Sequence, residues 1–241
     1  MSQSARPDIA RVGFLTCRIG GNPLGVLGTG LATQKAAGVD LSVSLLTLPE
    51  AFNIIGAYGG NAHDRTIFGA LVNLSKSFEV AFVVGLMDGP SPTTRINTAW
   101  LIDGDTHHLL AQKACQDSLG SYIPMRHADP KEHRGVTIAA LICMDAAMEP
   151  NERCPEKLSI HADIRRSLEA AEGPTVLCIP AHSTNALDGP AKAWAKEFTA
   201  VVVSDSYNPG NVIYTKRTTR LPESSGPIDD GFVGLAELTA M

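Results

Sequence analysis

The chain of 241 residues has the length of one large domain or two small ones, and it can bury a sizeable core without a metal or disulfide staple. Hydrophobic residues make up 44 % of the chain and charged residues 19 %, and this balance excludes a disordered protein. The 20 basic and 25 acidic side chains give a formal net charge of −5, so a nucleic-acid partner is not expected.

The first residues and the pattern of cysteines help to predict where in the cell the protein is found. MSQSARPDIARVGF contains no long apolar run, so no secretory signal is predicted, and no later stretch is apolar for long enough to predict a membrane span. The five cysteines are odd in number, widely spaced and without a C-x-x-C pair. We therefore expect reduced thiols and a cytoplasmic protein.

Apolar runs of strand length alternate with longer helical stretches along the chain. The predicted strands are ARVGFLT, VDLSVSLLTL, EVAFVVGLM, NTAWLI, THHLLAQK, GVTIAALI, PTVLCIPA, FTAVVVSD and NVIYT. Several are continuously apolar and β-branched, which is typical of strands buried on both faces. Helices are predicted for residues 30–37, 65–78, 155–171 and 187–197. This alternation predicts an α/β protein.

One pair of strands departs from the alternation. NTAWLI and HHLLAQK are separated by Asp103, Gly104 and Asp105, and Asp-Gly is the strongest short hairpin signal. At least one antiparallel pair therefore lies beside the buried strands, and a mixed sheet is predicted. No shift in composition marks a linker, so we expect a single domain over residues 1–241.

The segment RGVTIAALICMDA brings a thiol to the end of a buried strand. Sheets of α/β proteins present functional groups at the carboxyl ends of their strands. A sharp turn at Cys143 would aim the sulfur outward and expose the following backbone N–H groups to a developing oxyanion. Alternatively, Cys143 is a small core hydrophobe, as free cysteines often are.

A thiol nucleophile needs a base, and two side chains at other strand ends are candidates. His182 follows the strand PTVLCIPA. Glu50 follows Pro49, which ends an apolar strand because it has no N–H, and its next neighbours Ala51 and Phe52 are apolar. Partial desolvation by such neighbours would make Glu50 a better base. Alternatively, Glu50 begins a helix and reaches solvent.

A cation at a third strand end could stabilise negative charge. Strand alternation in HHLLAQKAC places Lys113 on the same face as His107, Leu109 and Ala111. If the ammonium is held in a cavity, it supplies a fixed positive charge for a tetrahedral oxyanion. Alternatively, the side chain extends along the apolar surface to water.

Three strand ends thus carry a glutamate, a lysine and a cysteine, in that order along the chain. LPEAF, the hairpin that ends in QK, and ALICMD resemble the catalytic motifs of the nitrilase superfamily, the carbon–nitrogen hydrolases. GVDLSVSLLTLPE, AFVVGL and PTVLCIPAHSTN resemble strands of the same family, so the resemblance extends over most of the chain.

The resemblance implies a four-layer α-β-β-α sandwich with mixed sheets, and a hydrolase that cleaves a small amide or nitrile through a thioester. It implies that Glu50 is the general base, Lys113 the oxyanion stabiliser and Cys143 the nucleophile. The predicted substrate contacts are Met144, through its backbone N–H, His182 and Phe52. Further candidates by position are Tyr58, Ser183, Asn185 and Tyr207. No metal or organic cofactor is implied, and members of the family commonly form homo-oligomers.

The sequence departs from the family pattern at two places. The family often continues from the cysteine as C-Y-D-x-R-F-P-E, whereas this chain has CMDAAMEP, with Ala147 where the arginine would be. That difference bears on how the loop after the cysteine is anchored. Many members also have a second glutamate between the lysine and the cysteine, and only Glu132 is available here.

Two other functions remain open. The run GGNPLGVLGTG lies between a strand and a helix, as a phosphate-binding loop would, but it contains neither G-x-x-x-x-G-K-[ST] nor G-x-G-x-x-G, and a flexible turn also explains it. The other alternative is a catalytically inactive nitrilase-fold protein that acts as a binding or scaffold subunit. Thiol reactivity separates it from an enzyme, because a functional Cys143 should react faster than Cys17 or Cys178.

Overall fold

Two mixed β-sheets lie face to face at the centre of the structure. The computed structural model describes residues 6–17, 22–52, 65–88, 96–115, 127–147, 157–182, 187–206, 211–215, 221 and 231–238. Within these ranges, one sheet has seven strands and the other has five.

The larger sheet has parallel strands at its centre and antiparallel strands at its sides. Its members are β1 (Arg11–Leu15), β2 (Ser44–Leu48), β3 (Ala81–Asp88), β4 (Ile96–Asp103), β5 (Thr106–Gln112), β6 (His127–Ala128) and β12 (Val233–Glu237). The spatial order is β12-β1-β2-β3-β4-β5-β6. The pairs β1–β2 and β2–β3 are parallel, and the other pairs are antiparallel.

The smaller sheet repeats this plan. It contains β7 (Lys131–His133), β8 (Val136–Ala140), β9 (Thr175–Ala181), β10 (Ala200–Asp205) and β11 (Val212–Thr215), in the order β11-β10-β9-β8-β7. Strands β8, β9 and β10 are parallel, and the edge strands β7 and β11 are antiparallel to their neighbours. The carboxyl ends of β8 and β9 therefore lie side by side.

Helices cover the outer face of each sheet. They are α1 (Pro23–Ala36), α2 (Arg65–Phe78), α3 (Lys157–Glu169) and α4 (Asp188–Trp194). The first two pack on the larger sheet, and α4 packs on β10 and β11 of the smaller sheet. Helix α3 packs against Trp194 of α4 and contacts β6 at the edge of the larger sheet. This arrangement is the predicted four-layer α-β-β-α sandwich. In the described part of the chain, no helix is both long and apolar enough to cross a membrane.

The layers explain why the strands are continuously apolar. In β2, Leu45 packs between the two sheets, whereas Leu46 packs against the helices. In β3, Val83 and Val84 divide in the same way. Because both faces of the larger sheet are covered, successive residues of its central strands are all buried.

The predicted elements agree with the structure in most places. All nine predicted strands are present, the hairpin at Gly104 joins β4 to β5, and α2 has the predicted bounds. Three strands were not predicted, namely β6, β7 and β12. Each of them is short or rich in polar residues, so neither strand alternation nor an apolar run was visible.

Most of the glycine-rich run is helical, because α1 begins at Pro23, and the flexible-turn interpretation is wrong for residues 23–30. The phosphate-loop interpretation stays an alternative. Asn22 caps α1 by accepting a hydrogen bond from the N–H of Gly25 at 3.0 Å, and Pro23 occupies the first turn, where a missing N–H costs nothing. Gly30 is required by packing, because a Cβ there would lie 2.5 Å from the carbonyl oxygen of Gly231.

A cluster of charged side chains joins the two sheets at one end of the molecule. Asp103, at the end of β4, accepts hydrogen bonds from His133, the last residue of β7, at 2.8 Å and from Arg134, in the turn that follows, at 3.1 Å. Arg6 donates to the other oxygen of the same carboxylate. Burial alone would raise the pKa of Asp103, but the hydrogen bond from His133 and the charges of Arg134 and Arg6 hold it below 3.8.

The variant Asp103→Asn should lower the free energy of unfolding by about 1–3 kcal/mol at neutral pH, because it leaves cationic partners without their carboxylate. Since the folded-state pKa lies below the unfolded value, the carboxylate stabilises the protein above roughly pH 4 and loses its effect as the pH falls through the folded-state pKa. Urea denaturation of both proteins between pH 7 and pH 3 measures this difference. A difference that stays constant over that range would contradict the assignment.

Candidate functional site

Glu50 and Lys113 form a fully buried ion pair. Glu50 follows β2, Lys113 follows β5, and the side chains of both are 0 % exposed. The ammonium Nζ of Lys113 donates to Oε1 of Glu50 at 2.6 Å. The alternative interpretations, in which each of these side chains reaches water, are therefore wrong.

Asn97, on β4, is hydrogen-bonded to both members of the pair. Its Nδ2 donates to the same Oε1 of Glu50, and its backbone carbonyl accepts from the N–H of Lys113 at 2.8 Å. Sequence reasoning did not single out Asn97. The available signal was its position in NTAWLI, two residues before Ala99, which packs between the sheets. A polar residue on an otherwise apolar face marks a partner nearby.

A β-bulge in β5 determines which way Lys113 faces. The bulge adds one residue, Leu110, opposite β4. His107 packs edge-on against Phe68 of α2, with ring centroids 5.4 Å apart, and so lies on the helix side of the sheet. The prediction that His107 shares a face with Lys113 is wrong, because the extra residue shifts the alternation between them.

The backbone around Glu50 is fixed by close contacts. The N–H of Glu50 donates to the carbonyl of Ala181 at 3.1 Å, and Ala51 has a φ of +55°. Gly85, in the neighbouring β3, accepts from the N–H of Phe52 at 2.8 Å. A Cβ on Gly85 would lie 2.6 Å from the Cα of Glu50, so only glycine allows this approach.

Cys143 lies at a strained turn where β8 ends. It begins a 3-10 turn over Cys143–Ala146 and has a φ of +49°, which a residue with a Cβ rarely adopts. Its side chain is buried, and the thiol lies 4.0 Å from the carbonyl oxygen of His182. Strain of this kind concentrates at functional sites. The sharp turn predicted at Cys143 is thus confirmed.

The cysteine turn is anchored by two aromatic residues instead of the arginine that Ala147 replaces. His161, from α3, contacts the carbonyl oxygen of Asp145 through Nε2 at 2.6 Å. Trp194, from α4, donates its Nε1–H to the carbonyl of Ala146 at 2.9 Å. The two rings are nearly perpendicular, with centroids 4.9 Å apart. Two helices of the outer layer therefore hold the turn.

Asp145 links the cysteine turn to the segment that carries the lysine. Its carboxylate accepts from the N–H of Ala114 at 3.0 Å and from the N–H of Cys115 at 2.8 Å. Burial raises the pKa of Asp145 to about 7, against the opposing charge of Lys113 and the two N–H groups, and the charge of Glu50 adds to the increase. Asp145 was not identified from the sequence as a site residue.

The structure brings Glu50, Lys113 and Cys143 to the same edge of the inter-sheet layer. The peptide N–H of Glu50 and the thiol of Cys143 contact consecutive carbonyls, those of Ala181 and His182, at the end of β9. A carboxylate, an ammonium and a thiol are the groups that proton transfer to a base and oxyanion stabilisation require. In the described ranges, no group of three or more His, Cys, Asp or Glu side chains could hold a metal.

The other residues chosen from the sequence lie in different surroundings. His182 is half-buried, and its Nδ1 lies 2.5 Å from the hydroxyl of Ser206. Met144 is half-buried against the inter-sheet core. Phe52 is fully buried in the core between the larger sheet and its helices, so its role as a substrate contact stays a prediction. Glu132 is exposed on the edge strand β7. Outside the described residues lie Tyr58, Ser183, Asn185 and Tyr207.

The expectation that every cysteine is reduced is wrong for Cys115. This residue is disulfide-bonded. Cys17, Cys143 and Cys178 form no disulfide. The cytoplasmic location therefore loses the support of the cysteine pattern and stays a prediction.

Solved structures with the same architecture are amidases. The amidase from Nesterenkonia sp. matches 97 % of this chain and 91 % of its own, with a TM-score of 0.65 and 17 % identity. A cysteine-to-alanine mutant of the Nesterenkonia AN1 amidase, described as belonging to the nitrilase superfamily, matches 97 % and 92 % with a TM-score of 0.67 and 16 % identity. The fold is that of the nitrilase superfamily.

Another amidase structure matches the fold, whereas the comparisons of sequence find no match. The Nesterenkonia AN1 amidase in complex with butyramide matches 96 % of this chain and 90 % of its own, with a TM-score of 0.62 and 17 % identity. No protein-family model matches the chain, and no curated protein does. The nitrilase fold is thus recognised from the structure at an identity of 15–18 %.

The variant Gly85→Ala should destabilise the protein by about 1–3 kcal/mol and displace Glu50, because the new methyl group would overlap the backbone of that residue. Gly69→Ala is the matched control, since a Cβ at Gly69 in α2 meets no atom within 4 Å and should be neutral or slightly stabilising. Thermal denaturation and a crystal structure of each variant measure these effects. An unchanged melting temperature in Gly85→Ala would contradict the close approach.

Proposed function

We propose that the protein hydrolyses the carbon–nitrogen bond of small amides, with Cys143 as the nucleophile, Glu50 as the general base and Lys113 as the oxyanion stabiliser. The observation that supports this best is the buried Glu50–Lys113 ion pair, whose base is tied to the same strand end as the thiol. Two opposite charges at 0 % exposure are costly to bury, so a chemical use for them is the simpler explanation.

In the first half of the reaction, Glu50 takes the proton from the thiol of Cys143 while the sulfur attacks the amide carbon. The carbonyl oxygen becomes an oxyanion, and the ammonium of Lys113 and the backbone N–H of Met144 stabilise it. The C–N bond then breaks as the nitrogen takes the proton held by Glu50, and ammonia leaves. The acyl group remains on Cys143 as a thioester.

In the second half, the same base acts on water. Glu50 takes a proton from a water molecule, whose oxygen attacks the thioester carbon, and Lys113 again faces the oxyanion. The C–S bond breaks and the sulfur recovers its proton from Glu50. A carboxylic acid leaves, and the site returns to its first state. These steps use only side chains, one backbone N–H and water, so the proposal includes no metal or organic cofactor.

Short aliphatic amides are the substrates that we propose to test first. The Nesterenkonia AN1 amidase, which shares the fold, has been crystallised with acrylamide and with butyramide. Met144 and His182 lie beside Cys143 and are the proposed contacts of the substrate here. A nitrile is the competing substrate, since a thiol also adds to a nitrile carbon. Self-association into a homo-oligomer and a cytoplasmic location, both expected from the sequence, stay predictions.

The variant Cys143→Ala should show no detectable ammonia release, because no nucleophile remains. Glu50→Gln should lower kcat by a factor of about 10² to 10⁴, since both half-reactions use the base. Cys178→Ala is the matched control, a buried cysteine on β9 that should keep wild-type activity. The assay is ammonia release from acrylamide, butyramide and butyronitrile. Wild-type turnover by Cys143→Ala would exclude the mechanism, and turnover of the nitrile alone would replace amide by nitrile as the substrate.

Alkylation rates distinguish an enzyme from an inactive scaffold of the same fold. Cys143 should react with fluoroacetamide or iodoacetamide faster than Cys178, whose pKa burial raises to about 12. Peptide mass spectrometry after brief labelling measures each site. Equally slow labelling of both cysteines would favour the scaffold function.

A further inference from the structure

We propose that Asp145 is a positioning residue that holds Lys113 in register with Cys143, so that the ammonium faces the oxyanion that forms on the substrate carbonyl oxygen when the sulfur attacks. The inference rests on the proposed function and adds to it a residue that acts without touching the substrate. It follows from three hydrogen-bond contacts of Asp145, from its burial and from the charges that face it.

Asp145 lies between the two parts of the site. As part of the 3-10 turn that begins at Cys143, it moves with the nucleophile. Its two carboxylate oxygens each accept one backbone N–H, from Ala114 and Cys115, the two residues that follow Lys113. The lysine and the cysteine come from different sheets, and the carboxylate is a direct hydrogen-bonded link between them.

Lys113 is thereby restrained on both sides along the backbone. Its own N–H donates to the carbonyl of Asn97 at 2.8 Å, and the next two N–H groups along the chain donate to Asp145. We call the pair of hydrogen bonds to Asp145 the clamp. Asp145 itself is anchored, because His161 contacts its carbonyl oxygen at 2.6 Å. Asp145 thus connects the segment after Lys113 to helix α3, which carries His161.

Only the ionised carboxylate is suited to this task, because it is acceptor-only at both oxygens, whereas the protonated acid carries an O–H donor at one of them. The charged groups that face it in the described residues are Lys113 and Glu50, from the larger sheet, and His161 faces its carbonyl from α3. Burial outweighs the attraction of Lys113 and raises the pKa of Asp145 from 3.8 to about 7.

The sign of this shift gives the position a distinctive signature. A carboxyl group whose folded-state pKa is raised stabilises the protein fully below its unfolded pKa and loses that contribution as the pH rises through the folded-state pKa. At pH 8 the ionised Asp145 therefore lowers the free energy of unfolding. A residue kept at the expense of stability beside a reactive group is typical of a functional role.

The test compares Asp145→Asn with Asp103→Asn, the same chemical change at another buried aspartate outside the site. For both variants and the wild type, kcat and KM for butyramide are measured from pH 5 to pH 9, together with the melting temperature at pH 8. Backbone amide hydrogen exchange at Lys113, Ala114 and Cys115 is followed in parallel. The Cys115 disulfide is kept intact in all three proteins so that it restrains this segment equally.

For Asp145→Asn we expect a 10- to 100-fold lower kcat at pH 8 with KM changed by less than threefold. In the wild type we expect kcat to fall below about pH 7 as Asp145 is protonated, and this step should be absent from the profile of kcat against pH in Asp145→Asn. The three backbone amides should exchange at least tenfold faster in the variant. Its melting temperature should equal or exceed that of the wild type. Asp103→Asn should show the reverse, with a lower melting temperature and unchanged kcat, pH profile and exchange. A kcat and pH profile in Asp145→Asn that match the wild type would overturn the inference.

The outcomes also separate this inference from the proposed function. If the wild type turns over no amide or nitrile, the proposed function fails, and faster exchange at Lys113 in Asp145→Asn would still support the clamp. If the wild type is active and exchange at Lys113 in Asp145→Asn is unchanged, the clamp fails and the proposed function stands. A large loss of melting temperature in Asp145→Asn at pH 8 would also overturn the inference, because it would indicate an ordinary structural carboxylate.

Discussion

The buried ion pair between Glu50 and Lys113 is the interaction on which the rest of the arrangement depends. Removing two charges from water costs several kcal/mol for each ion, and only close pairing with further hydrogen bonds offsets it. The fold meets this requirement by enclosing the pair between two sheets that are each covered by helices. Asn97 then donates to the carboxylate from a third strand. The four layers are thus a condition for the pair and for any chemistry that uses it.

Two of the residues with a strained backbone lie in the candidate site. Ala51, next to the carboxylate, and Cys143 both have positive φ, although each carries a Cβ. Such conformations cost on the order of 1–3 kcal/mol each and persist only where the surroundings determine them strongly. Here the surroundings are the β3 backbone at Gly85 on one side and the ring of Trp194 on the other. Packing by neighbouring elements therefore maintains an unfavourable backbone conformation at Ala51 and at Cys143.

The sequence was sufficient for the layers, because burial on both faces leaves continuous apolar runs, and for the three strand ends, because Glu50, Lys113 and Cys143 each lie close behind a recognisable strand. It was insufficient where an interaction is only visible in three dimensions. The bulge at Leu110 redirected a whole strand face, and nothing in HHLLAQKAC marks an extra residue. Asn97 and Asp145 are ordinary polar residues until their partners, 47 and 31 residues away, are known. Glycines in α1 looked like a loop, since close helix packing has no signature of its own.

The contacts at the end of β9 have a geometric consequence. The backbone N–H of Glu50 contacts the carbonyl of Ala181, and the sulfur of Cys143 lies near the next carbonyl, that of His182. These two carbonyls belong to successive peptide groups joined at the Cα of His182, so a single residue of the chain links the segment after β2 to the segment after β8. A change in the backbone angles of His182 would therefore alter the position of Glu50 relative to Cys143.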